Sequence, residues 1–149
     1  MLIFSWSGQN DINMFYIDSI RFHHFGLAVK QFDKAILFYE NLGYNCSQPV
    51  IDPLQNVELV LCTSEKYPTV ELVKPINDKS PVINYLNKNN EIIYHICYEV
   101  DDIENDLRKL FSKSKTICVS KPTPAILFDN RLVSFYYINN VGLIELLQK

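Results

Sequence analysis

The feature that most constrains this 149-residue chain is a pattern that occurs twice. His24 leads the run His24-Phe25-Gly26-Leu27-Ala28-Val29, and His95 leads His95-Ile96-Cys97-Tyr98-Glu99-Val100. Each is followed by a helix-like stretch and then by strands, one of which carries a single carboxylate between apolar neighbours. These are Val70-Glu71-Leu72-Val73 and Leu143-Ile144-Glu145-Leu146-Leu147. The interval from His24 to Glu71 nearly equals that from His95 to Glu145. A chain built this way folds as two similar halves, each giving one imidazole and one carboxylate.

The local pattern repeats in the same order. Residues 20–29 read as a strand. Phe32, Ala35, Ile36, Tyr39 and Leu42 then fall on one face at helical spacing, and Gly43 ends the helix. A short strand over 44–46 and a loop at Asp52-Pro53 precede strands 56–62 and 69–73, joined as a hairpin. In the second half, strand 92–100 leads to Asp101 and Asp102, acidic residues suited to a helix start. Ile103, Leu107, Leu110 and Phe111 mark the helix face, which ends near Ser112. A strand over 116–119, a rigid loop at Lys121-Pro122-Thr123-Pro124, and strands 125–128 and 132–137 around a turn at 129–131 lead to the last strand, 143–147. Between the halves, Ser80 is placed to cap a short helix over 81–88. The expected organisation is an extension of low order over residues 1–19, with Met14 an alternative start, and one domain over 20–149. Its modules are 20–75 and 92–148, joined by a linker over 76–91.

A hydrophobic fraction of 48% with nine Tyr and nine Phe supports a packed core at this length. The net charge of −3 provides no basic face for nucleic acid, and no apolar run approaches a membrane span. Four glycines, with no phosphate-binding loop or nucleophile elbow, argue against those chemistries. Cys46, Cys62, Cys97 and Cys118 form no metal knuckle and read as free, mostly buried thiols in a reducing cytoplasm.

Strand alternation puts Glu71 on a face with Val73, and Glu145 on a face with Leu143 and Leu147. A carboxylate on a core face requires a partner or a cation. Two imidazoles and two carboxylates suit a divalent first-row metal such as Co, Mn, Ni, Zn or Fe, with open positions for substrate. The same residues are equally read as core histidines and solvent-facing glutamates. His23 should point away from His24 and serve structure. Glu58 shares a face with Val60 and Cys62 and reads, from the residues alone, as a solvent-facing charge. Cys97 lies on the His95 face without an activating environment.

Five segments in order resemble the vicinal oxygen chelate (glyoxalase/bleomycin resistance/dioxygenase) superfamily, and within it most closely the methylmalonyl-CoA epimerases. They are 24–29, 38–43, 70–75 with Ser80-Pro81, 94–103 and 142–146. The resemblance implies an α+β fold in which two pseudo-symmetric βαβββ modules form an open barrel around a metal site. The implied ligands are His24, Glu71, His95 and Glu145. Glu71 stands where those epimerases carry Gln, whereas lactoylglutathione lyases of the superfamily use Glu there. The implied chemistry is proton abstraction alpha to a carbonyl, with Glu58 at the position of the catalytic carboxylate and Glu145 as a second catalytic group. Lys121–Arg131 replaces a glycine-rich segment of those epimerases, which argues against a coenzyme A thioester and makes a carrier-protein thioester or a small oxo-acid an equal expectation. Within the superfamily the alternatives are a glyoxalase-type lyase and an extradiol dioxygenase; outside enzymes, it is a metal-free antibiotic binder. A cytoplasmic homodimer is the expected setting.

Overall fold

A computed structural model describes residues 19–111 and 115–149. The extension expected over 1–19 lies almost wholly outside the described residues, as do Met14 and the helix end near Ser112. The first half contains β1 (Arg21–Val29), α1 (Asp33–Asn41), β2 (Asn45–Cys46), β3 (Val50–Asp52), β4 (Val57–Thr63) and β5 (Thr69–Pro75). After the short α2 (Ile83–Leu86), the second half contains β6 (Glu91–Val100), α3 (Ile103–Phe111), β7 (Thr116–Ala125), a 3-10 turn (Ile126–Phe128), β8 (Arg131–Ile138) and β9 (Gly142–Gln148). All strands join one open sheet in the order β2-β4-β5-β1-β6-β9-β8-β7, with β3 also on β4. β1 and β6 pair antiparallel at its centre, and each is flanked by a parallel partner, β5 and β9 respectively. The two expected modules are thus related across the β1–β6 seam.

Alternation on β5 and β9 splits the core into inner and outer faces. Leu72 and Val70 pack outward with Ala35, Ile36 and Tyr39 of α1, while Val73 packs inward with Ala28, Val57 and Leu59. Likewise Leu146 and Ile144 pack outward with Ile103 and Leu107 of α3, and Leu147 packs inward with Cys97 and Phe128. Each fully buried leucine on these strands is worth about 1.5–3 kcal/mol. Gly43 ends α1 at a φ of 91°, and the amide of Tyr44 closes back onto the Tyr39 carbonyl at 3.0 Å. At the head of α3 the Asp102 carboxylate accepts the Asn105 amide at 2.7 Å, the role its position predicts.

Several local expectations are corrected. Lys121–Pro124 is strand, not loop, because β7 is an edge where proline's missing amide costs no ladder bond. Residues 126–128 form a 3-10 turn rather than a strand, ending at Asp129 and Asn130 with φ of 56° and 61°. Ser80 does not cap α2; its hydroxyl is buried without a partner, and Val82 takes the cap position. Leu42 is 48% exposed, so the buried face of α1 stops a turn earlier. The free-thiol reading fails for Cys46 and Cys62, which the β2–β4 register sets directly opposite one another and which form a disulfide. Cys118 is exposed and Cys97 is buried.

Candidate metal centre

Each central strand has an extra residue at the same place. Along the β1–β6 ladder Phe22 faces Tyr98 and His24 faces Cys97, so His23 is looped out of register. Further along, Gly26 faces His95 and Leu27 faces Ile93, so Tyr94 is looped out on β6. A bulge of this kind breaks the alternation of faces and re-aims side chains. His23 and His24 therefore both turn inward, as do Tyr94 and His95. The expectation that His23 points away from His24 is thereby corrected.

Around these bulges the four expected ligands converge. Nε2 of His24 lies 3.1 Å from Nε2 of His95. Oε2 of Glu145 is 3.1 Å from the first nitrogen and 3.2 Å from the second, while Oε2 of Glu71 is 3.5 and 3.6 Å from them. All four side chains are buried. The backbone makes this convergence possible. Glu71 sits beside Gly26 on β5, and Glu145 beside Cys97 on β9. His95 lies over Gly26, where an added Cβ would come within 2.0 Å of its Cε1.

This donor set fits a divalent cation. Nitrogen and oxygen donors about 2.0–2.2 Å from a shared ion lie about 3.0–3.5 Å apart at right-angled to tetrahedral bite, the spacing seen here. Oε2 of Glu145, despite its two close nitrogens, has no well-directed hydrogen bond, and neither does Nδ1 of His95. Buried polar atoms are rarely left so, and a cation at the centre would satisfy the carboxylate. Two neutral imidazoles and two carboxylates also balance a 2+ charge and suit first-row metals.

Without a cation, protonation of His24 offsets part of the carboxylates' charge. Burial opposes a charge on His24, but the close carboxylates of Glu71 and Glu145 outweigh it, raising His24 from 6.5 to about 10. Burial alone would raise Glu145; the close imidazoles of His24 and His95 reverse that and hold it well below its ordinary 4.5. The stability contributed by His24 is thus complete below pH 6.5 and lost as pH rises toward 10. The contribution of Glu145 is present above pH 4.5 and lost as pH falls. Chelator-treated protein is expected to melt highest between these limits, and metal loading should flatten the alkaline decline. Thermal melts from pH 4 to 10, with and without metal, check this.

Glu58, expected as the base, does not reach the cluster. It lies on the outer face of β4, cross-strand from Lys74, with which it forms an ion pair. Its neighbours Val57 and Leu59 face inward instead. Arg131 is also accounted for structurally: it donates to Glu99 at 2.6 Å and to the Gln148 carbonyl at 2.8 Å. Cys97 is buried, and burial and the Glu145 carboxylate push its thiol well up.

A cavity of about 570 Å³ opens beside the cluster. Tyr94, Phe135 and Leu143 form its inner wall, and the Tyr94 and Phe135 rings lie 4.5 and 5.4 Å from the His95 ring. Among the described residues lining it, Lys79 is the one charged side chain and none is a carboxylate. Tyr94 had no signal in the sequence, because the bulge that turns it inward is a property of the β1–β6 ladder.

The family model of the glyoxalase/bleomycin resistance protein/dioxygenase superfamily matches residues 23–135. The chain belongs to this superfamily. Its relatives within the superfamily include the mitochondrial methylmalonyl-CoA epimerase of Dictyostelium discoideum, 32% identical over 87% of this chain and 78% of that protein. The bovine mitochondrial methylmalonyl-CoA epimerase is 32% identical over 86% of this chain and 74% of the relative. Among solved superfamily structures, a variant of Streptomyces coelicolor methylmalonyl-CoA epimerase in complex with 2-nitronate-propionyl-CoA superposes with a TM-score of 0.70. It is 21% identical and covers 87% of this chain and 94% of the other. The open, mixed sheet is the vicinal oxygen chelate fold.

Proposed function

We propose that the protein is a divalent-metal-dependent epimerase that moves a proton at the carbon alpha to a thioester carbonyl, a reading supported by its similarity to proteins named methylmalonyl-CoA epimerase. The observation that carries this reading is the convergence of His24, Glu71, His95 and Glu145 on one buried point beside an apolar cavity. These four residues would hold the ion, which when bound supplies Lewis-acid polarisation of substrate oxygens. The cavity wall of Tyr94, Phe135 and Leu143 lies next to His95 and would shield an acyl group bound there from water. With Glu58 turned away and no carboxylate on the described cavity lining, proton transfer falls to the cluster's own carboxylates. Glu145 is our candidate for the acid–base group, and Glu71, arriving from the other half of the pseudo-twofold, is placed to serve the opposite side. The gathered donor set supports an enzyme over a metal-free binder.

Glu71 favours one second reading, a glyoxalase-type lyase, because that branch of the superfamily resembles this chain in carrying Glu at this position. Both readings share metal-assisted removal of a proton beside a carbonyl and differ in substrate. Methylmalonyl-CoA incubated in deuterium oxide should take up deuterium at its alpha carbon with cobalt-loaded protein, but not after chelation. Failure of the loaded protein with that thioester, alongside turnover of a glutathione thiohemiacetal, would replace the first reading by the second.

A further inference from the structure

We propose that His23 is a positioning residue for the metal centre, holding the His24 ring so that its Nε2 faces the cluster. This rests on the metal-site reading above, but its basis is a separate contact. Nδ1 of His23 lies 2.8 Å from Nδ1 of His24. Two ring nitrogens at that separation share a proton, one donating and the other accepting. With Nε2 of His24 directed at Glu145 and His95, its Nδ1–H is the donor and Nδ1 of His23 the acceptor. Ligating histidines are commonly fixed in orientation and tautomer by a partner on the ring nitrogen remote from the metal. A carboxylate or carbonyl usually fills that role; here the preceding residue of the same strand does.

The contact exists because of the β1 bulge. In a regular strand adjacent side chains leave on opposite faces, and two neighbouring imidazoles could not meet through their Nδ1 atoms. The looped-out His23 turns inward and is held there by Phe128. The Phe128 ring stacks on His24 at 5.4 Å and meets the His23 ring edge-on at 5.3 Å. The second half offers the comparison. Tyr94 occupies the matching bulge position before His95, yet Nδ1 of His95 has no hydrogen-bond partner among the described residues. One ligand histidine is thus braced and the other is not, an asymmetry inside a pseudo-symmetric site.

The pair His23→Asn and His23→Leu separates hydrogen bonding from packing. Asn Oδ1 stands the same number of bonds from Cβ as His Nδ1, and Leu matches Asn in shape without an acceptor. Cobalt dissociation constants are read by competition with a chromophoric chelator, and a 15N–15N coupling across the Nδ1–H···Nδ1 bond is sought in 15N-labelled wild-type protein before and after loading with diamagnetic zinc. Loss of an outer partner typically weakens metal binding about 10–100-fold, so His23→Leu should fall in that range. His23→Asn should stay within about threefold of wild type, and the coupling should be present with or without metal. Equal weakening in both variants would assign the effect to packing and overturn the proposal, as would unaltered affinity in His23→Leu or absence of the coupling. If the wild-type protein takes up no cobalt, the metal-site reading fails on its own, and the metal-free coupling still decides whether His23 braces His24.

Discussion

Glu145→Gln is expected to lower metal-dependent deuterium uptake about 10²–10⁴-fold, the range for losing a positioned acid–base group. The side chain keeps its size but loses its charge, and Oε2 is the cluster's closest oxygen to both imidazoles, at 3.1 and 3.2 Å. An amide there can still offer oxygen, so metal affinity should fall less steeply than turnover. Initial exchange rates at saturating cobalt, set beside chelator-competition affinities, test the split. Glu58→Gln is the control, and should change exchange by no more than about twofold, as surface substitutions generally do, since Glu58 meets Lys74 on the outer face. A full loss in the Glu58 variant with wild-type rates in the Glu145 variant would overturn this assignment.

Gly26→Ala should be nearly as damaging, though Gly26 carries no chemistry. An added Cβ would stand 2.0 Å from Cε1 and 2.4 Å from Nε2 of His95. Tyr94 and Phe135 crowd the same imidazole, so the ring has little room to retreat. Overpacking costs about 1–3 kcal/mol in stability, and displacing a ligand should weaken cobalt binding by more than the roughly 100-fold upper end for outer partners. Denaturant melts and competition titrations measure the two effects separately. Wild-type cobalt affinity in Gly26→Ala would show that His95 is not seated as described.

The gathering of His24, Glu71, His95 and Glu145 was legible because these residues lie where alternation and duplication agree. Glu71 and Glu145 sit on regular strands, so counting by two from Val73 and Leu147 puts them on the inner face, as found. Glu58 is instructive in the other direction. Alternation already grouped it with Val60 and Cys62, which pack outward; the resemblance overrode that grouping, and the structure restores it. What could not be read was whatever depends on a ladder between distant segments. The bulges at His23 and Tyr94 exist only in the β1–β6 pairing, and the Cys46–Cys62 bond only in the register of a two-residue strand. The prolines of β7 argued against a strand because its edge position, which tolerates them, is a fact of the whole sheet.

The paired bulges also bear on how such a site withstands insertions and deletions. Each central strand is two segments of opposite parity, joined at the residue before its buried histidine. Phe22 and Phe25, three positions apart, touch at 4.8 Å on one side of the sheet because the count is reset between them. Pairing with β5 and the downstream part of β6 fixes His24, whatever precedes it. Losing one residue upstream would therefore invert the faces of the strand's leading segment and leave His24 in place. The bulge acts as a buffer between a changeable strand entrance and an imidazole whose facing is fixed by its neighbours.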